Sequence, residues 1–182
     1  MALGLLLSLA APAVARELDG VTMPDKVDVA GKPLTLNGMG VRKATFMNVK
    51  VYVAGLYVEQ PTKDPSQILR SSEPKKLIMT FVRDVDRDKI VDTMDESFRK
   101  NTKNMDALNA RLSKMLSLLP KFKEHDTMTF TYAGPGQGTD LQINGVTRGN
   151  IPGDDFAQAL FAIWLGKEPP DTGLKKGLLG GR

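Results

Sequence analysis

The run from Phe46 to Val58 constrains this chain more than any other stretch of it. Val49, Val51 and Val53 alternate with Tyr52, Ala54 and Leu56, so a strand here presents apolar side chains on both faces. A sheet strand with one face in water alternates apolar with polar residues, and this one does not. It is expected in the interior of a sheet whose two faces are both covered.

The neighbouring segments supply the rest of such a sheet. Val27-Asp28-Val29 and Leu34-Thr35-Leu36-Asn37 flank Ala30-Gly31-Lys32-Pro33, a hairpin pattern. Gly38-Met39-Gly40-Val41-Arg42 is expected to turn the chain into the long strand. Further strands follow at Lys76 to Val82, Thr127 to Tyr132 and Thr139 to Ile143, and Asn144-Gly145 joins the last to Val146-Thr147-Arg148 through a type I′ turn. The glycine-rich Gly134 to Gly138 lacks the Lys-Ser/Thr ending of a phosphate loop and reads as a hairpin connection.

Helices fall between these strands. Asp64-Pro65 opens a short one to Arg70. Asp86 is placed to cap a second, with Ile90, Met94 and Phe98 recurring every four residues. Leu108, Leu112, Met115, Leu116 and Leu119 share one face of a third, which stops at Pro120. Asp154 or Asp155 caps a fourth through Phe156, Leu160, Ile163 and Trp164, ended by Gly166 as a C′ glycine, and a short fifth covers Leu174 to Leu179. Strands and helices do not alternate as βαβ units, so the fold class is α+β, an antiparallel sheet with helices layered on one face.

Composition excludes several chemistries. Hydrophobic residues make up 41% of the 182 and charged residues 25%, an ordinary globular balance for one domain. There is no cysteine, which removes disulfides, thiolate metal sites and cysteine nucleophiles; the single His125 supplies no poly-histidine site, and no motif around it signals a catalytic triad. Asp84, Asp86 and Asp88 lack the glycine and the terminal glutamate of a calcium loop. No metal, cofactor or catalytic residue is therefore assigned. The net charge of +4 is spread among nearly as many acids, without an aromatic-interleaved basic stripe, so no nucleic-acid partner is expected.

Residues 1–15 carry no charge and read as a leader: an apolar run from Leu3 to Leu9, then Ala13-Val14-Ala15 as an A-x-A cleavage pattern. The run is short for a membrane span, and no later stretch is long enough for one. The expectation is a mature domain over residues 16–182, exported to the periplasm or secreted.

Three segments together resemble the chalcone isomerase-like family. They are Gly38-Met39-Gly40-Val41-Arg42, the strand Val49 to Val58, and Leu160-Phe161-Ala162-Ile163-Trp164-Leu165-Gly166 followed by Pro169 and Leu174-Lys175-Lys176. The third is similar to the terminal helix pair of exported bacterial members. The resemblance implies an open-faced β-sandwich with a ligand cleft between sheet and helices. It also implies where function would reside, because the family contains plant chalcone isomerases, plastid fatty-acid-binding proteins and bacterial proteins of unassigned role.

For the isomerase reaction the family uses an arginine after the Gly-x-Gly segment, a strand threonine, a tyrosine and an asparagine on a later helix, and a threonine on the terminal helix. Here Arg42 matches the arginine, Tyr52 stands at the strand threonine, Asp86 and Thr93 fall near the helix pair, and Ile163 replaces the last threonine. In the fatty-acid-binding branch an arginine and a tyrosine at the first two positions hold a carboxylate, so the resemblance implies that Arg42 and Tyr52 are the ligand-binding pair. A guanidinium offers a planar fork of donors to a carboxylate, and a tyrosine hydroxyl adds another. The expected function is non-catalytic binding of a fatty acid or similar apolar carboxylate, its chain running between sheet and helices among Val51, Val53, Ile90, Met94, Phe98, Leu160 and Trp164. Two alternatives stand beside it: an isomerase or intramolecular lyase acting on an enone-like substrate, and an envelope interaction module without a ligand.

Overall fold

The computed structural model describes residues 14–44 and 47–181. The leader segment over residues 1–13 and Phe46 lie outside them. Seven strands form one sheet in the order of the chain: β3 (Lys26–Val29), β4 (Lys32–Ala44), β5 (Val49–Val58), β6 (Lys75–Phe81), β7 (Thr127–Tyr132), β8 (Thr139–Ile143) and β9 (Val146–Ile151). Every neighbouring pair is antiparallel. A separate hairpin of β1 (Ala15–Leu18) and β2 (Val21–Pro24) precedes them. Helix α1 (Pro65–Arg70) follows β5, α2 (Arg87–Asn101) and α3 (Asn109–Ser117) follow β6, and α4 (Asp154–Leu165) and α5 (Thr172–Leu178) close the chain. This is the expected α+β layering.

The two faces of β5 bury different partners, as its double apolar pattern requires. Tyr52, Ala54 and Leu56 enter the large core with the helices. Val53 and Tyr57 enter a smaller one with Leu34, Leu36 and Met23 of the first hairpin. Tyr57 also donates its hydroxyl hydrogen to the Pro24 carbonyl at 3.0 Å. The Asp19-Gly20 turn that closes this hairpin, with φ of 49° and 78°, was hidden from sequence reasoning by its nearness to the leader. The turns at Ala30-Gly31 and Asn144-Gly145 show the same pair of positive φ values that a type I′ hairpin needs.

Gly38-Met39-Gly40 is no turn. Strand β4 runs straight through it, and the two glycines face α5. A methyl group at Gly38 would collide with the Gly177 carbonyl oxygen and stand 2.7 Å from the Gly180 nitrogen, and one at Gly40 would lie 2.5 Å from the Leu174 carbonyl oxygen. Absent side chains thus let a helix backbone press on a strand backbone. The contact is pinned at both ends. Asn37, the extra residue of a β-bulge, donates to the Leu178 carbonyl at 2.7 Å. Asp171, the N-cap of α5, accepts from the Leu174 nitrogen at 2.9 Å and from the Lys43 nitrogen at 2.8 Å.

Two caps differ from expectation. Gly153, at φ 102°, is the N-cap of α4, while the aspartates after it bond elsewhere. Asp154 accepts from the Tyr132 hydroxyl and the Gly136 nitrogen, and Asp155 takes a bidentate pair from Arg111 with both distances at 2.7 Å. Gly166 ends α4 in an extended conformation rather than a left-handed one, and its lack of a side chain makes room for Asn101.

Candidate functional site

Arg42 and Tyr52 face each other across β4 and β5. Directly opposed residues of an antiparallel pair project to the same face, here the helix side. The ladder then slips, since Lys43 pairs with Lys50 and Val51 is left as an extra residue in β5. A bulge of this kind re-aims side chains, and Val51 packs toward the helix-side core instead of away from it. The result is a crevice of about 500 Å³ at the end of β4 and the start of β5, beneath the start of α2.

Its floor is apolar, formed by Val49, Val51, Val85 and Ile90, and its polar groups come from three elements. Arg42 and Tyr52 come from the strands, Arg83 and Asp84 from the loop after β6, and Asp86, Lys89, Asp92 and Thr93 from α2 and its cap. All four positions aligned above with the family's arginine, strand threonine and helix pair therefore meet at one place. Ile163 does not; it is buried within the helix-side core.

The Tyr52 side chain is 5% exposed, and its hydroxyl oxygen accepts a hydrogen bond from Trp164 Nε1 at 3.0 Å. Burial pushes the Tyr52 pKa up to about 12, with smaller opposing influences from the Trp164 hydrogen bond and Arg42, and a smaller reinforcing one from Asp171. The group is a neutral phenol across the ordinary pH range. Arg42 makes one hydrogen bond among the described residues, to the Lys43 carbonyl, and no ion pair. Most of its five N–H donors are uncommitted.

Of the other charges at the rim, Asp84 is paired, while Asp86, Lys89 and Asp92 make no ion pair among the described residues. Lys123 binds Asp84 at 2.5 Å and holds its carboxyl below the usual range. The Thr93 hydroxyl donates to the Lys89 carbonyl at 2.8 Å, within its own helix. Arg83 was missed by sequence reasoning; it lies just beyond the end of β6, in a loop that carries no local signal for the crevice. Among the described residues it makes no hydrogen bond or ion pair, and no group of three His, Cys, Asp or Glu side chains is placed to hold a metal.

The expected path of an acyl chain needs correction. Val51 and Ile90 line the crevice, but Val53 lies on the opposite face of the sheet. Met94, Phe98, Leu160 and Trp164 are packed core residues with 2% exposure or less. Phe98 meets Phe156 and Trp164 meets Phe130 in ring contacts of 5.5 and 5.9 Å, filling the space between sheet and helices.

Comparison with known proteins agrees with this architecture. A family model described as chalcone isomerase-like matches residues 15–180. The fold is similar to that in the crystal structure of a fatty-acid binding protein from Arabidopsis thaliana, with a TM-score of 0.73 and 16% sequence identity. The match covers 92% of this chain and 96% of the plant protein. None of the curated proteins matches the sequence. Among the described residues no helix is long and apolar enough to cross a membrane.

Proposed function

The chain belongs to the chalcone isomerase-like family, and from that premise we propose that it binds a fatty acid or similar apolar carboxylate without transforming it, in the crevice shared by Arg42 and Tyr52. One observation carries the proposal. Arg42 and Tyr52 both line the crevice, the first a cation with uncommitted donors and the second a neutral phenol, above a floor of Val49, Val51 and Ile90. A cationic donor with uncommitted N–H groups selects an anionic acceptor, and the apolar floor selects an apolar body. A carboxylate with an apolar body satisfies both. Its chain rests in the crevice, because packed side chains fill the layer behind it. The structural neighbour's name as a fatty-acid binding protein supports the same ligand class.

The isomerase alternative is weaker on chemical grounds. Of the five family positions only the arginine is kept, and the Thr93 hydroxyl hydrogen is directed to a backbone carbonyl. The leader-like segment supports an exported protein that meets its ligand outside the cytoplasm.

Native mass spectrometry of the purified protein, followed by organic extraction, tests the proposal. One carboxylate per chain is expected, and the intact mass reads whether the chain begins near Arg16. In Arg42→Ala the affinity for that carboxylate should fall about 30-fold, roughly 2 kcal/mol, with the unfolding midpoint unchanged. Equal retention of the ligand by the variant would remove Arg42 from the site.

A further inference from the structure

We propose that Trp164 is a positioning residue that makes the site selective for carboxylates over alcohols, by locking the Tyr52 hydroxyl as a donor. The inference rests on the reading of the crevice as a carboxylate site, and it names what sets the selectivity of that site.

A phenol oxygen both donates and accepts, so a free tyrosine adapts to whichever head group it meets. Its hydrogen lies near the ring plane, on one side of the oxygen or the other. An indole N–H can only donate. Trp164 Nε1, 3.0 Å from the Tyr52 oxygen, therefore claims one side as acceptor and drives the hydroxyl hydrogen to the other. Among the described residues that hydrogen meets no acceptor, because the bond from Trp164 is the only one the hydroxyl makes. Tyr52 lines the crevice, where a ligand oxygen completes the set.

Trp164 is itself held firmly. It is 2% exposed on α4, a helix buried on nearly all sides, and its ring packs 5.9 Å from that of Phe130. A rigid donor behind the phenol leaves the phenol no second state. The phenol then offers a donor only, so a carboxylate oxygen accepts from it directly, whereas an alcohol must place its own hydrogen on another group.

The test compares dodecanoate and 1-dodecanol as probes, by titration into wild type, Trp164→Phe, Tyr52→Phe and the double variant. Trp164→Phe keeps an aromatic ring and removes the N–H. Its dodecanoate affinity should fall about fivefold while dodecanol binding stays level or tightens, so the selectivity ratio falls. In the Tyr52→Phe background the same change should have no effect on either probe. Equal weakening of both probes, or an unchanged ratio, would overturn the proposal, since a loosened core acts on both alike. Full dodecanoate affinity in Tyr52→Phe would remove Tyr52 from the ligand site and the lock with it, whereas no dodecanoate binding by wild type would overturn the carboxylate reading of the crevice. Should Trp164→Phe fail to fold, the single tryptophan of the chain decides the matter through its one indole N–H resonance. A shift of that resonance on saturation with dodecanoate, absent in Tyr52→Phe, supports the lock; no shift at saturation refutes it.

Discussion

Replacing Gly38 with alanine is expected to lower the stability of the protein by about 3 kcal/mol and to release its C-terminal helix. The added methyl group would collide with backbone atoms of Gly177 and approach the Gly180 nitrogen and the Leu178 carbonyl, at 2.7 and 2.9 Å. Backbone cannot swing aside as a side chain does, so either β4 bends or α5 lifts. Gly177→Ala acts on the same contact from the other side, where its methyl would stand 2.7 Å from the Gly40 Cα. Gly173→Ala in the same helix is the control. Its methyl would meet only an Asp171 carboxylate oxygen at 3.1 Å, and alanine favours helix, so stability should stay within about 1 kcal/mol of wild type. Urea unfolding combined with limited proteolysis of the C-terminus reads both effects. A Gly38→Ala protein as stable as wild type, with a protected terminus, would show that α5 does not seat on β4 as described. The site feels this contact too, because Asp171 at the head of α5 holds the Lys43 nitrogen beside Arg42.

The second large effect is a rise in stability as pH increases from about 8 to about 10. Lys75 is 4% exposed, and its ammonium donates to the carbonyls of Ile68 and Ser71 at the end of α1, at 2.9 and 2.6 Å. It stands over the rings of Tyr132 and Phe161 and, among the described residues, forms no ion pair with a carboxylate. Burial lowers its pKa to about 8, from roughly 10.4 in an unfolded chain. Between those values the unfolded chain binds more protons than the folded one, so unfolding becomes harder as pH rises. The cost of burying the charge is fully present below about pH 8 and gone above about 10.4, a gain of up to about 3 kcal/mol. Lys76, also lowered by burial, works in the same direction. Above pH 10 the sign reverses. Tyr52, Tyr57 and Tyr132 all have their pKa pushed up to about 12, chiefly by burial, so the unfolded chain loses their protons first. Urea unfolding at intervals from pH 7.5 to 11 should show a maximum near pH 10. In Lys75→Met the rise should largely vanish; a wild-type profile flat from 8 to 10 would contradict the buried ammonium.

Much of the scaffold was legible because its signals are local. The Asn144-Gly145 turn, the Asp64-Pro65 helix start and the leucine face of α3 each depend on neighbours a few residues away. The alternation in β5 also announced its two covered faces. Gly38 and Gly40 were misread because their reason lies in α5, far along the chain. The same holds for Asp154 and Asp155, whose composition suggests a cap but whose partners are Tyr132 and Arg111. At the site, family resemblance identified Arg42 and Tyr52 as candidates, while the bulge at Val51, the approach of Arg83 and the Trp164 hydrogen bond are products of tertiary geometry. The acyl path was misplaced for a related reason, since residues that line a cleft and residues that fill a core share one periodicity.

The crevice is expected to hold an apolar acid by its carboxylate. The most direct measurement is calorimetric titration of wild-type protein with dodecanoate and, separately, with methyl dodecanoate, which differ in charge but scarcely in apolar surface. Binding of one dodecanoate per chain, at least about tenfold tighter than the ester, is the predicted result. Equal affinity for the two, or no binding of the acid, would contradict it.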